Sequence, residues 1–220
     1  PQATELPGLV EVPHAGVAVP RDVANLLAVG DREIRSDADL YADEIYGEAS
    51  GRGATQLSAR LSRYVVDLNR EPDDVDLEAV EGHPNPRPTA PRGFLWRVTT
   101  SGDPAMRRPL TLDEWRGRVE RFWRPYHAEV QAEIERLRSK FGVVLLVAGH
   151  TMPSVGRASH TDPGQRRADI VPGTRGRSSC DGRIADAVER YFGGLGYSVR
   201  PDDPYRGGFA TGHYGRPAER

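Results

Sequence analysis

Short, unbroken apolar runs alternate along the chain with polar stretches rich in glycine and proline. The longest run, residues 142–148, reads Gly-Val-Val-Leu-Leu-Val-Ala and ends in Gly149-His150. It lacks polar alternation, which predicts a strand buried on both faces, as in the middle of a parallel or mixed sheet. A shorter run at 9–12 predicts a first strand and stops at Pro13-His14-Ala15-Gly16. Residues 55–66 read as a strand pair or one bent strand, and 168–171 and 197–199 as short strands. Helical spacing is clearest over 110–141: Trp115, Val119, Phe122, Tyr126, Val130, Ile134 and Leu137 form one stripe. Thr111 and Glu114 are spaced as a capping box, Gly142 supplies a stop, and Pro125 predicts a kink or division. Helices are also expected at 21–29, at 36–46 with Ser36 or Asp37 as cap, and at 181–192. A long helix running straight into a strand points to an α/β protein. Residues 71–109 have weak periodicity and predict a long loop, a lid over a site or a disordered stretch, with Phe94-Leu95-Trp96 as its anchor.

Bulk composition narrows the function. With 37% hydrophobic and 28% charged residues and a formal net charge of -2, the chain lacks the basic excess of a dedicated nucleic-acid binder. No apolar run reaches the length of a membrane span. The single cysteine, Cys180, cannot form an intramolecular disulfide, which fits a reducing cytoplasm. Twenty-four glycines and eighteen prolines put much of the chain in loops, where binding residues concentrate.

The candidate chemistry lies at the ends of the apolar runs. Carboxyl ends of strands in open α/β sheets are where ligands bind, and two of them here carry histidines, His14 and His150. Each is a candidate metal ligand or base; each is also compatible with a hydrogen-bonding turn histidine. Asp39 and Asp43 are one helical turn apart and form the best acidic cluster of the first half, although acidic residues are ordinary at helix starts. Residues 62–70, Ser-Arg-Tyr-Val-Val-Asp-Leu-Asn-Arg, surround an apolar strand with polar groups. Alternation places Arg63, Val65, Asp67 and Asn69 on one face, either as a carboxylate-binding surface or as a surface salt-bridge network. These groups together allow a metal-assisted hydrolase for acidic substrates. Their spacing is not that of a compact motif such as His-Glu-x-x-His.

The order of the segments is more specific. Val12-Pro13-His14-Ala15-Gly16, the stretch 37–43, Ser62 through Arg70, Trp123-Arg124-Pro125-Tyr126-His127, Gly149-His150-Thr151-Met152 and Pro204-Tyr205-Arg206-Gly207-Gly208 follow one another. Together they resemble the N-formylglutamate amidohydrolase (deformylase) family over nearly the whole chain. That family is similar in fold to the zinc carboxypeptidases (phosphorylase/hydrolase-like). The resemblance therefore implies a single α/β domain over residues 1–220, a mixed β-sheet flanked by helices. It implies zinc, or another divalent first-row ion, held by His14, Asp39 and His150, with Asp43 or Glu44 as alternative acids. Arg63 would face the scissile carbonyl, Asn69 and Arg70 would hold the α-carboxylate, and Arg206, His213 and Arg216 would line the pocket for an acidic side chain. The implied partner is a small-molecule N-acyl amino acid, in cytoplasmic histidine degradation, with no nucleic acid or membrane involved.

The chain departs from the family pattern twice. An aspartate is usual two residues before the second histidine, where this chain has Ala148. The family's further strand with a glutamate, the expected general base, would lie beyond Arg220, so the domain is expected to lack its last strand. Both departures leave room for a non-catalytic or altered-specificity relative that binds an acyl-amino acid or peptide carboxylate.

Overall fold

In the computed structural model, which describes residues 4–86 and 91–217, the buried middle strand is β1 (Gly8–Val12). The elements that follow are α1 (Arg21–Ala24), α2 (Asp31–Asp37), α3 (Ala42–Ile45), α4 (Glu48–Gly51), β2 (Thr55–Ser58), α5 (Leu112–Arg118), a π-helical turn (Val119–Trp123), α6 (Arg124–Phe141), β3 (Leu145–Ala148), α7 (Gly182–Gly194) and α8 (Phe209–Tyr214). The chain divides into two compact units, Pro1–Thr151 and Met152–Arg220. No helix among the described residues is long and apolar enough to cross a membrane.

In the first unit the strand order is β2-β1-β3. Both ladders are parallel, so among the described residues the expected mixed sheet is a parallel one. The run at 142–148 is not its centre. Only Leu145–Ala148 is strand, it pairs with β1 alone, and Leu145 and Val147 are 41% and 36% exposed. Leu9 and Val12 of β1, by contrast, are fully buried. Hydrophobicity marked both runs, but pairing on two sides belongs to β1.

Two further expectations change. The helix predicted at 36–46 is broken: Asp37 ends α2, Ala38 is extended, Tyr41 adopts a left-handed φ of 64°, and α3 starts at Ala42. The break is held by the Asp37 carboxylate, which is buried and accepts from the Tyr64 hydroxyl (2.5 Å), the Thr100 amide (3.0 Å) and the Thr100 hydroxyl. Asp39 therefore leaves the helix instead of sharing a face with Asp43. Residues 71–109 are not a lid over the rest of the unit. Val75, Ala79, Val80, Phe94, Leu95, Trp96 and Ala105 are buried in the main core with Val23, Leu27 and Tyr64. Apolar side chains spaced without period build core here through tight turns and isolated bridges. Residues 87–90 of this loop lie outside the described residues.

The long helix starts as expected. Thr111 accepts from the Glu114 amide and the Glu114 carboxylate accepts from the Thr111 amide at 2.8 Å, so the capping box is complete. It ends where Gly142 takes φ 75°. It is divided near Pro125, as expected: α6 begins at Arg124, with Pro125 in its first turn. The helix widens into the π turn just before it, consistent with a residue that has no N–H to donate backward.

The second unit holds α7, capped by the Asp181 side chain on the Arg183 amide, and α8. The two short strands expected there are reduced to one bridge, Ile170 with Val199. Asp202 organises its loop, accepting from the amides of Thr174, Arg175 and Gly176 and from the Thr174 hydroxyl.

The turn after His14 requires Gly16: a β-carbon there would lie 2.2 Å from the Arg60 backbone carbon. Gly16→Ala is expected to destabilise the protein by about 1–3 kcal/mol, as measured by denaturant unfolding. A stability equal to the parent would contradict this packing.

Candidate metal centre

Three segments deliver the central groups. β1 runs into Pro13 and His14. The main-chain oxygen of His14 accepts the Asp39 amide at 3.0 Å, which ties the α2–α3 connection to the end of β1. β3 runs into Gly149 and His150, and the Gly149 amide donates to the Glu11 carbonyl at 2.7 Å. Gly149 is compulsory because a β-carbon would meet the Tyr46 ring at 2.7 Å. His14, Asp39 and His150 consequently present nitrogen and oxygen atoms that all lie within 4.8 Å of one another. His150 Nδ1 is 2.8 Å and His14 Nδ1 3.8 Å from the same Asp39 oxygen, and the two rings are 5.0 Å apart. The alternative acids, Asp43 and Glu44, are exposed on α3 and outside this cluster.

The far sides of both rings are held as well. His14 Nε2 is 2.7 Å from Asp67 Oδ1. A carboxylate can only accept, so the proton sits on Nε2 and the Nδ1 lone pair is left facing Asp39. His150 Nε2 faces the Asn69 amide nitrogen at 3.3 Å. Two imidazole nitrogens and a carboxylate oxygen, each backed by a partner, are the donor set of a divalent first-row ion. The charge agrees: with neutral imidazoles, Asp39 and Asp67 outweigh Arg63 by one negative charge. The residues present therefore fit a cation.

Asp67 is fully buried and accepts from four donors: His14, Arg63 Nη2 (2.9 Å), the Trp96 indole (3.0 Å) and the Asn69 amide (2.9 Å). Residues 62–70 are turns, not the alternating strand expected, and the pairing that matters is Arg63 with Asp67. Nor is it a surface network. The Arg63 guanidinium carbon sits over the Trp96 ring, 4.2 Å from its centroid, and its Nη1 is 3.5 Å from Asp39 Oδ1. Arg70 is half exposed and reaches Asp74 at 3.2 Å.

These contacts set the ionisation. Burial opposes the charge on Asp67, but His14 and Arg63 hold its carboxyl well below the usual range. Asp39 is likewise opposed by burial, yet the His150 hydrogen bond, His14 and Arg63 hold it at about 2. For His14, burial and the Arg63 charge push the imidazole down, and Asp67 only partly offsets them. Arg63 is kept charged against burial by Asp67 and Asp39.

The sequence points to the His/Asp/His cluster but not to its support. Glu11, the one charged residue inside the β1 run, is fully buried; burial pushes its carboxyl up, and the Tyr126 hydroxyl donates to it. It pairs across the ladder with Ala148, the position that lacks the expected aspartate. Trp96, read as a loop anchor, is a donor to Asp67. In the second unit, Arg206 lines a cleft of about 210 Å³ with Arg175 and Ser178. Of the other two residues expected to line an acid pocket, His213 stacks on Phe209 at 4.7 Å, and Arg216 Nε donates to the His213 carbonyl.

A parallel α/β scaffold presenting two histidines at strand ends and an aspartate from a helix connection beside a held guanidinium is suited to amide hydrolysis, and the comparisons agree on the class: the chain is an amidohydrolase. The family model for N-formylglutamate amidohydrolase matches residues 6–220, and the chain belongs to that family. It is 32% identical over 217 residues to the N-formylglutamate deformylases of Pseudomonas putida and Pseudomonas aeruginosa, covering 97% of this chain and 76% and 77% of theirs. The solved N-formylglutamate amidohydrolase of Ralstonia eutropha JMP134 superposes with a TM-score of 0.89 at 32% identity, covering all of this chain and 80% of that one.

His14 is expected to be neutral, with its proton on Nε2, and to titrate below its ordinary value of 6.5 in chelator-treated protein. The unfolded state then binds more protons than the folded one just below that value. Stability is expected to be full above pH 6.5 and to fall as the pH drops toward the folded pKa. Imidazole nitrogen NMR checks this; titration at or above 6.5 would contradict it.

Proposed function

We propose that the protein is a metal-dependent amidohydrolase that removes the N-formyl, or another N-acyl, group from an acidic amino acid such as N-formyl-L-glutamate. The observation that carries this reading is the convergence of His14, Asp39 and His150 beside Arg63. The names of the matched relatives supply the substrate class. A zinc-carboxypeptidase-like relationship of the fold, a cytoplasmic setting and a place in histidine degradation belong to the same reading and rest on the family resemblance.

In this proposal His14, Asp39 and His150 hold the ion, with zinc the first choice and other divalent first-row metals the alternatives. A bound divalent cation supplies Lewis acidity, which makes a water more acidic and a carbonyl more electrophilic. Arg63 presents its guanidinium to the scissile carbonyl oxygen, where negative charge develops. Its stacking on Trp96 and its bonds to Asp67 fix its direction before substrate arrives. Asp67 keeps His14 in the tautomer that leaves Nδ1 free. Asn69 and Arg70 bind the α-carboxylate, Arg70 by a planar fork that matches it. Arg206, His213 and Arg216 are proposed to bind the acidic side chain; their part rests on the resemblance.

The test is formate release from N-formyl-L-glutamate by metal-replete protein. His14→Ala and His150→Ala should lose both stoichiometric metal and turnover. Arg63→Ala should keep the metal and lower kcat by about 10²–10³-fold. Asp67→Asn should weaken metal affinity by about 10–100-fold. Unchanged turnover in both histidine variants would defeat the metal assignment. Tight substrate binding without turnover in the parent would make the chain a binding relative instead.

A further inference from the structure

We propose that the π turn at Val119–Trp123 is a register device that aims a row of side chains at the loop carrying Arg63, Asp67, Asn69 and Arg70, so that Arg118, Trp123 and His127 are positioning residues for substrate binding. The inference rests on the hydrolase reading above for the substrate used in its test.

The row consists entirely of donors to main-chain oxygens of that loop. Arg118 Nη1 donates to the carbonyls of Tyr64 (3.3 Å) and Val65 (2.7 Å), and His127 Nε2 to that of Leu68 (2.9 Å). The Trp123 indole donates to the Arg70 carbonyl (2.9 Å) and the Trp115 indole to the Pro72 carbonyl (3.0 Å). A loop of turns has no ladder of its own to satisfy these oxygens, so side chains from the helix do it instead. Arg118 and His127 are buried, so their bonds are not exchanged with water.

Spacing shows why the π turn is needed. The donors sit at 115, 118, 123 and 127, steps of three, five and four residues. An uninterrupted α-helix would bring 122 and 126 to this face, by steps of three or four. Phe122 has no polar hydrogen to donate. Tyr126 is used elsewhere, on the Glu11 carboxyl of β1. The extra residue of the π turn rotates the helix so that Trp123 and His127 face the loop while Tyr126 reaches β1. The Trp123 and His127 rings pack on each other at 4.3 Å, which stiffens the pair. Asn69 and Arg70 thus lie between two clamped carbonyls, those of Leu68 and Pro72, with Arg70 itself held by Trp123.

Trp123→Phe keeps an aromatic ring and removes only the N–H. It should raise KM for N-formyl-L-glutamate by about three- to tenfold, with kcat nearly unchanged, and speed amide hydrogen exchange across residues 66–72. His127→Leu should behave alike, and His127→Gln, which keeps a donor, should restore KM. Leu137→Ala, at a buried site in the same helix ten residues and about 15 Å beyond His127, should lower Tm without moving KM or the exchange at 66–72. Parental KM and exchange in both Trp123→Phe and His127→Leu would overturn the proposal, as would a rise in KM for Leu137→Ala as large as theirs. A parent inactive on this substrate would sink the earlier reading alone, because the exchange measurement still decides this one.

Discussion

A carboxylate removed from water is tolerated only when its oxygens are fully engaged. Asp67 meets that requirement with four donors, two from distant stretches of chain, His14 and Trp96, and two from its own loop, Arg63 and Asn69. Each donor is thereby fixed. His14 acquires a defined tautomer, Arg63 a defined direction, Trp96 a place under the guanidinium, and the main chain at Asn69 a defined path. The cluster is therefore arranged around an anion that is not itself one of its three members. Electrostatics and packing cannot be separated here: the same indole that fills core beside Tyr64 also satisfies the buried acid.

The scaffold explains how such groups come together. Two parallel ladders send β1 and β3 in one direction, so the residues that follow each strand emerge at the same end of the sheet. His14 and His150 are those residues. Asp39 reaches them because α2 is stopped by Asp37 and the chain turns back under a left-handed Tyr41. A glycine at 149 lets Tyr46 close against the strand end.

The two histidines and Asp39 were legible because apolar runs end where they stand and because the motif order carries a family signature. The long helix, its capping box and its glycine stop were legible because they are local. What was not legible depends on distant partners. The 62–70 stretch looks like an alternating strand, and only Asp67's burial turns it into a knot of turns. The run at 142–148 looks more buried than residues 9–12, since hydropathy does not count neighbours. Residues 71–109 have no period, yet they supply core, because burial in turns leaves no periodic trace. Pro125 signalled a disturbance in the helix but not its sense, and Glu11 stood in plain view inside a strand without announcing its companion Tyr126.

The parallel pairing of β1 with β3 carries a kinetic implication. A parallel neighbour cannot be reached by a tight hairpin, and here the connection spans nearly all of the first unit. During synthesis β1 must wait, unzipped on one flank, until the ribosome has extruded the long helix and the strand behind it. His14 spends that interval without His150, so the His14/Asp39/His150 cluster stays incomplete until β3 has been made. Assembly of the cluster is thus a late event in biogenesis, coupled to synthesis of β3 rather than to early collapse.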